Sequence, residues 1–302
     1  MASLLSNTTI QDDDDSYEDD DFEDSSVREI RYSDVEIEER VSGGGFSIVY
    51  KANWMSLAVA VKRIFDPNIT KELMDEFRNE VSMLSRFRHP NIVQILATVS
   101  TPPNLCVVCE WMARGSLHHV LHASKVKLSE ARSRSLAIQA SLALHFIHTE
   151  NVVHRDIKPM NFLVDEHLRL KLGDFGFAKK INSVQNNKNG ELKNKTTIIG
   201  SPPYMAPELW MGEIASKKSD VYALGIVLWE IFTRGLPFCG MDPKEIRQRV
   251  LKGTRPSINP HDEEQPMHYG TQAGDLIQRC WKEEKFDRPS SKEVLGVMQK
   301  FR

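Results

Sequence analysis

The hydrophobic pattern of this chain changes once, near Gly115, and this change limits the folds that the chain can adopt. Before Gly115, apolar residues that alternate with polar ones predict strands, among them residues 48–54 and 57–64, and one helical stripe follows. After Gly115, apolar-rich segments at residues 129–148 and 219–232 predict helices. We therefore expect an α+β fold in which a small sheet with one helix precedes a larger, mostly helical part.

Capping residues predict where three of the helices begin. Thr70 suits the N-cap of the first helix, and Asp242 followed by Pro243 suits that of a later one. Ser290 and Glu293 have the spacing of a capping box, which predicts the start of the last helix. Further strands are expected at residues 92–98 and 105–110.

Charge is unevenly distributed along the 302 residues. Residues 1–24 hold ten acidic residues and no lysine or arginine, whereas the remainder has 39 basic and 32 acidic residues, a formal charge of +7. Residues 1–30 are too charged and too poor in apolar groups to build a core, so we predict that they form an acidic disordered tail. The folded domain is then expected at residues 31–302.

Several classes of protein are disfavoured by composition. The longest apolar stretch, residues 221–232, is too short to span a bilayer, and the N-terminus lacks the features of a secretory signal. Basic residues are dispersed, which disfavours a nucleic-acid partner. Cys106 and Cys109 have C-x-x-C spacing on a predicted buried strand, and reduced core thiols suit them better than a metal site. We expect no membrane insertion and a cytoplasmic location, with a nuclear one left open.

Two features of the first part suggest anion binding. Gly43, Gly44 and Gly45 form a turn between predicted strands, and glycines let backbone N–H groups approach an anion closely, although many such turns only reverse the chain. Lys62 closes an apolar strand, and Glu80 lies on the apolar face of the predicted helix. A carboxylate buried on that face needs a partner, and Lys62 is the natural one.

A denser group of polar residues lies between residues 152 and 176. His154, Arg155, Asp156 and Asn161 occur at short fixed offsets, and the triplet 174–176 (Asp-Phe-Gly) follows. These segments resemble the catalytic loop and the DFG motif of the eukaryotic protein kinase family. The resemblance covers residues 32–302, and its other markers follow in the family's order, including the triplet 206–208 (Ala-Pro-Glu) and Asp220.

The resemblance implies a bilobal kinase fold, with an N-lobe at residues 31–112 and a C-lobe at residues 113–302. It implies that Asp156 accepts the proton of the attacking hydroxyl or orients it, and that Lys158 reaches the transferring phosphate. Lys62, held by Glu80, would grip the α- and β-phosphates of ATP. Asn161 and Asp174 would hold Mg²⁺. The positions that match the family's nucleotide-binding residues are Val41, Ser42, Gly43, Gly44, Gly45, Phe46, Ser47, Val49, Ala60, Lys62, Cys109, Glu110, Met112 and Leu163.

The resemblance also implies structural roles. Glu208 matches a glutamate that pairs with an arginine near the C-terminus, here Arg288. Four further positions match the stacked residues that align the two lobes, although each is also an ordinary core residue: Leu84, Ile95, His154 and Phe175. Ser42 stands where the family's first loop glycine is usual, which leaves nucleotide affinity open.

The acceptor class follows from the catalytic loop. Lys158 after Asp156, together with Ser201, is typical of serine/threonine kinases, whereas residues 110–117, 220–230 and 280–289 look like the tyrosine-kinase-like branch. The expected partners are protein substrates with serine or threonine acceptors, and the chain is also expected to phosphorylate itself. Dual specificity stays open. A pseudokinase scaffold is the other alternative, disfavoured because the lysine, both aspartates and the asparagine are all present.

The segment 183–197 matches the activation loop and is expected to regulate the domain. Phosphate on Thr196 or Thr197 could pair with Arg155 beside the catalytic aspartate and order the loop. An upstream activating kinase is therefore a candidate partner. With Ser201, these two threonines complete the predicted regulatory positions.

Overall fold

The structure, a computed structural model, describes residues 27–43, 47–64, 69–180, 200–258 and 271–301. The N-terminal part is a six-stranded sheet with one long helix. In chain order its elements are β1 (Arg28–Glu29), β2 (Glu36–Gly43), β3 (Ser47–Trp54), β4 (Leu57–Ile64), α1 (Lys71–Arg86), β5 (Ile95–Val99) and β6 (Cys106–Glu110). The strand order is β1-β5-β6-β4-β3-β2, with β1 parallel to β5 and the other neighbours antiparallel.

The C-terminal part is mainly helical, with short strands near its junction with the sheet. Its helices are α2 (Glu130–Thr149), α3 (Pro207–Trp210), α4 (Lys217–Thr233), α5 (Pro243–Leu251), α6 (Thr271–Cys280) and α7 (Ser291–Met298). Its strands are β7 (Val152–Val153), β8 (Phe162–Val164), β9 (Leu170–Leu172) and β10 (Lys179–Lys180). The pairs β8–β9 and β7–β10 are antiparallel. The predicted α+β, two-lobed fold is confirmed.

The predicted helix caps are present. The Thr70 hydroxyl accepts a hydrogen bond from the Leu73 N–H at 3.2 Å, and Asp242 caps α5 immediately before Pro243. Ser290 and Glu293 form the predicted capping box at the start of α7. Such caps satisfy N–H groups that a helix leaves free in its first turn, which is why they can be recognised in the sequence.

Two predicted boundaries are wrong. Residues 27–30, assigned to the acidic tail, belong to the fold: Val27 and Ile30 are buried, and Glu29 accepts hydrogen bonds from Thr98 and Ser100. The remainder of the predicted tail lies outside the described residues. The strand expected at 92–98 begins only at Ile95, because the backbone just before it bonds to Leu172 of β9: the Val93 N–H donates to the Leu172 carbonyl, and the Leu172 N–H donates to the Asn91 carbonyl.

The two parts share one hydrophobic core. Leu84 of α1, Ile95 of β5 and Phe175 belong to the same buried cluster as the central helix α4. A second, smaller cluster fills the other face of the sheet. Within the described residues, no helix is both long and apolar enough to cross a membrane.

Candidate active site

A lysine, a glutamate and an aspartate meet where the sheet faces the helical part. Lys62 Nζ lies 2.7 Å from Glu80 Oε1 and 3.0 Å from Asp174 Oδ1, so the pairing predicted for Lys62 and Glu80 is present. Burial disfavours the charged amine, but the two carboxylates outweigh burial and hold the pKa of Lys62 above its ordinary value. Lys62 is therefore a fixed cation at the end of an apolar strand.

The loop that carries Asp156 is anchored to helix α4 through Asp220. The Asp220 carboxylate accepts hydrogen bonds from the backbone N–H of His154 at 2.8 Å and of Arg155 at 3.0 Å. It also lies 3.1 Å from His148 Nε2. Arg155 adopts a left-handed backbone conformation, φ 69°, which is unfavourable for a side-chain-bearing residue and is held here by these bonds.

Asp156 is the centre of a buried hydrogen-bond network. Its Oδ1 accepts from the Ser201 hydroxyl at 3.0 Å, and its Oδ2 lies 2.6 Å from Lys158 Nζ. Lys158 also donates to Ser201 at 2.9 Å, which closes a triangle of three side chains. The Asn161 amide donates to the Asp156 carbonyl at 2.8 Å and to Oδ2 at 3.0 Å. Residues 156, 158, 161 and 201 are thus held in one geometry.

The donor set of Asn161 and Asp174 fits a hard divalent cation. Because the Asn161 nitrogen donates to Asp156, its amide oxygen is left for another partner. Lys62 occupies only Oδ1 of Asp174 and, among the described residues, nothing bonds to Oδ2. Burial favours the neutral acid, but the charge of Lys62 outweighs it and lowers the pKa of Asp174. An amide oxygen and an ionised carboxylate are ligands that Mg²⁺ accepts.

Phe175 fixes the segment that carries Asp174. Its buried ring lies 5.0 Å from the His154 ring and 5.5 Å from the Phe87 ring, between centroids. Because Phe175 packs inward against the shared core, Asp174 is directed toward Lys62. Three of the four predicted stacked residues thus share one buried cluster, and the fourth, His154, packs against Phe175.

The predicted nucleotide-binding residues of the sheet lie in register. Ser42 pairs with Val49 across β2 and β3, and Val49 pairs with Lys62 across β3 and β4. The flanks Val41, Gly43 and Ser47 lie on these same strands. The turn itself, with Gly44, Gly45 and Phe46, lies outside the described residues.

The remaining predicted nucleotide-binding residues line the junction between sheet and helices. Ala60 of β4 pairs with Cys109 of β6, and Leu163 lies on β8 of the other part. Burial, followed by the charge of Glu80, raises the pKa of the Cys109 thiol to about 12, so the thiol stays neutral. Met112 is buried and, among the described residues, its N–H has no hydrogen-bond acceptor.

The Glu110 side chain has a structural partner that the sequence did not indicate. Both of its carboxylate oxygens lie 2.7 Å from Lys171 Nζ, and Oε1 also accepts from the Gln94 N–H at 2.8 Å. The Glu110 side chain is therefore not available to a nucleotide, and the Glu110 N–H also donates to the Gln94 carbonyl at 3.1 Å. The available signal was Lys171 itself, a lysine between two buried leucines of β9.

Of the predicted regulatory residues, the structure describes one. Ser201 belongs to the network around Asp156, whereas Thr196 and Thr197, with the segment 183–197, lie outside the described residues. Arg155, the predicted partner of a phosphorylated threonine, donates to the carbonyl of Phe177 through Nε.

This arrangement defines the class of protein. Transfer of a phosphoryl group needs positioning and charge neutralisation more than covalent chemistry, and the junction supplies a fixed lysine, oxygen ligands for a metal and a buried carboxylate held by a lysine. The sequence model described as "Protein kinase domain" matches residues 35–298. The chain belongs to the protein kinase family.

Curated relatives agree with this assignment. A probable serine/threonine-protein kinase of Dictyostelium discoideum is 40% identical over 276 residues, which are 89% of this chain and 28% of that protein. The serine/threonine-protein kinase CTR1 of Arabidopsis thaliana is 33% identical over 91% of this chain and 32% of its own length. The dual specificity protein kinase shkC of Dictyostelium discoideum is 36% identical over 91% of this chain and 53% of its own length. The chain thus spans between 16% and 53% of the length of the curated relatives that it matches.

Proposed function

We propose that this domain transfers the γ-phosphate of ATP to serine or threonine hydroxyls of protein substrates. The observation that carries the proposal is the closed triangle of Asp156, Lys158 and Ser201. A carboxylate aimed at an acceptor hydroxyl needs a cation nearby to stabilise the phosphate that arrives, and Lys158 meets that need.

The geometry supports a role for each of the main residues. Asp156 accepts the proton of the attacking hydroxyl or orients it, which requires its Oδ1 to exchange Ser201 for the substrate. Lys62, held by Glu80, binds the α- and β-phosphates. Ala60, Cys109 and Leu163 surround the adenine, and the backbone of Glu110 and Met112 bonds to it.

The proposed metal is Mg²⁺, held by Asn161 and Asp174. When bound, it neutralises phosphate charge. The chain's own part is to keep Asp174 ionised through Lys62 and to direct the Asn161 oxygen outward through Asp156.

Dual specificity is the second candidate, favoured by the name of the relative shkC. The network around Ser201 favours serine and threonine acceptors, because its hydroxyl bridges Lys158 and Asp156 beside the acceptor position. Regulation through Thr196 or Thr197, an upstream activating kinase and a cytoplasmic compartment are further parts of the proposal.

The test is transfer of radiolabelled phosphate from ATP with Mg²⁺ to a generic basic protein and to the chain itself. Asp156→Asn should lower the rate about 10²- to 10⁴-fold, the usual contribution of a positioned acid or base. Asp242→Asn is the matched control, because asparagine caps helices as well as aspartate does and α5 lies outside the site. Phosphoamino-acid analysis of the labelled protein distinguishes serine and threonine from tyrosine.

Two results would contradict the proposal. One is an Asp156→Asn protein as active as the parent. The other is the absence of label with a parent that unfolds cooperatively and carries phosphate at Thr196 and Thr197, which would indicate a scaffold. Label on tyrosine as well as serine or threonine would establish dual specificity instead.

A further inference from the structure

Two histidines and a buried glutamate, none of them assigned above to the candidate active site, converge between the turn at residues 119–123 and α4. His118 and His122 are four residues apart on the turn that includes residues 119–123, and their ring centroids are 4.9 Å apart. His122 Nε2 lies 2.7 Å from Glu230 Oε1, on the central helix α4. One ligand atom from each of the three side chains lies within 4.8 Å of the other two.

The surroundings of Glu230 favour a cation. Its side chain is 0% exposed, and a carboxylate in such a position is costly unless it is paired. Its Oε2 accepts the Tyr204 hydroxyl at 2.9 Å, and its Oε1 faces His122. Within the described residues no lysine or arginine side chain bonds to Glu230. The guanidinium of Arg234 donates to the carbonyls of Val120 and Val126 instead.

We propose that His118, His122 and Glu230 form a binding site for a divalent transition-metal ion, with Zn²⁺ as the best match. Two imidazole nitrogens and one carboxylate oxygen are a donor set that Zn²⁺ uses with three protein ligands and one open position. Mg²⁺ and Ca²⁺ prefer oxygen ligands throughout, so the set disfavours them. None of the three proposed ligands is among the residues to which the proposed phosphoryl transfer assigns a role.

The site is accessible to such an ion. Glu230 is fully buried, but His118 and His122 are only partly buried, which leaves a path from solvent to the three ligand atoms.

The ion would connect the turn at residues 119–123 to α4. It would replace the hydrogen bond between His122 and Glu230 Oε1 while Oε2 keeps the Tyr204 hydroxyl. A ligand that binds only the folded chain stabilises it, so Zn²⁺ should raise the thermal unfolding midpoint.

The test is titration of the full chain, without a histidine tag, with Zn²⁺ alone, measured by competition with a chromophoric chelator. We expect one Zn²⁺ per chain to bind tightly enough to compete with the chelator. His118→Gln and His122→Gln should each weaken binding by about tenfold or more. His119→Gln is the matched control, because His119 is exposed, lies on the same turn and is not part of the cluster.

Co²⁺ supplies an independent readout, since its visible absorption reports tetrahedral coordination by nitrogen and oxygen ligands. The proposal is overturned if the parent shows no saturable Zn²⁺ binding, or if His118→Gln and the control bind as the parent does. His118→Gln keeps the test decisive even if His122→Gln fails to fold, because His118 makes no hydrogen bond to Glu230 among the described residues. A rise in the unfolding midpoint with Zn²⁺ in the parent and not in His118→Gln would support the site.

Discussion

Removing the charge of Glu208 should strongly destabilise the fold, because Arg288 would then be an unpaired buried cation. The two side chains are 4% and 0% exposed, and the guanidinium donates to both carboxylate oxygens at 2.7 and 2.8 Å. Arg288 also donates to the carbonyls of Lys218, Lys282 and Glu283. We predict this effect for Glu208→Gln, which keeps the shape of the side chain.

The magnitude follows from the burial of the pair. Removing one partner of a buried ion pair costs about 3–5 kcal/mol. At about 1.4 kcal/mol per factor of ten, the folding equilibrium changes about 150- to 4,000-fold. Domains have free energies of unfolding of about 5–15 kcal/mol, so the loss is a large share of the total. Glu208→Gln leaves the three carbonyl contacts of Arg288 in place. We therefore expect a loss of stability of about 3 kcal/mol, the lower end of this range.

The assay is urea-induced unfolding of the parent and of Glu208→Gln at 25 °C. The matched control is Glu213→Gln, because Glu213 pairs with Lys285 and these side chains are 45% and 30% exposed. An exposed pair of this kind contributes about 0–1 kcal/mol. If Glu208→Gln and Glu213→Gln lose the same amount, the reasoning is refuted, and the backbone carbonyls rather than the carboxylate satisfy Arg288.

Two further predictions concern groups outside the proposed chemistry. Lys171→Met should lower the free energy of unfolding by about 1–3 kcal/mol in a urea titration, because it leaves the half-buried Glu110 carboxylate without its charged partner. The free energy of unfolding should also decrease as the pH is lowered, because His89 titrates in this range. The pKa of His89 is lowered in the folded chain, mainly by burial and then by the neighbouring His145. The unfolded chain therefore binds more protons, and the stability present above about pH 6.5 is lost as the pH falls toward the lower folded-state value. Urea midpoints at pH 7.5 and 5.5 should differ less in His89→Asn than in the parent, and an unchanged difference would contradict the assignment.

The sequence was sufficient to predict an element where the interactions that determine it are local or follow a strict spacing. The Thr70 and Ser290 caps act within three residues, and the strand at 57–64 follows from its own alternation and neighbours. Residues 27–30 were misassigned for the opposite reason. Their neighbours in the chain are acidic, and what holds them is the parallel pairing with β5, about 70 residues away.

The candidate site was predictable residue by residue but not as a network. The positions of Lys62, Asp156 and Asp174 follow from motif spacing, whereas the bond of Ser201 to Asp156 spans 45 residues and depends on how the segment before α3 returns to the loop. The ion pair of Lys171 and Glu110 spans 61 residues and has no motif at all. Motifs therefore located the residues of the candidate site, and the tertiary structure supplied the partners that position them.

Glu230 shows what the rule that a buried carboxylate needs a partner can predict from sequence alone. The argument that found a partner for Glu80, that a carboxylate on an apolar helix face must be compensated, applies equally to Glu230, which interrupts the apolar stretch 221–232. For Glu80 the sequence offered one suitable cation on a neighbouring strand. For Glu230 the sequence offers Arg234, four residues further on, but in the fold that guanidinium donates to the carbonyls of Val120 and Val126. The compensating groups are instead the Tyr204 hydroxyl and the His122 ring, which lie 26 and 108 residues away. The rule thus identifies a buried acid that needs compensation, but only the fold shows which groups supply it, and here one of them is a histidine, a side chain that binds protons and metals.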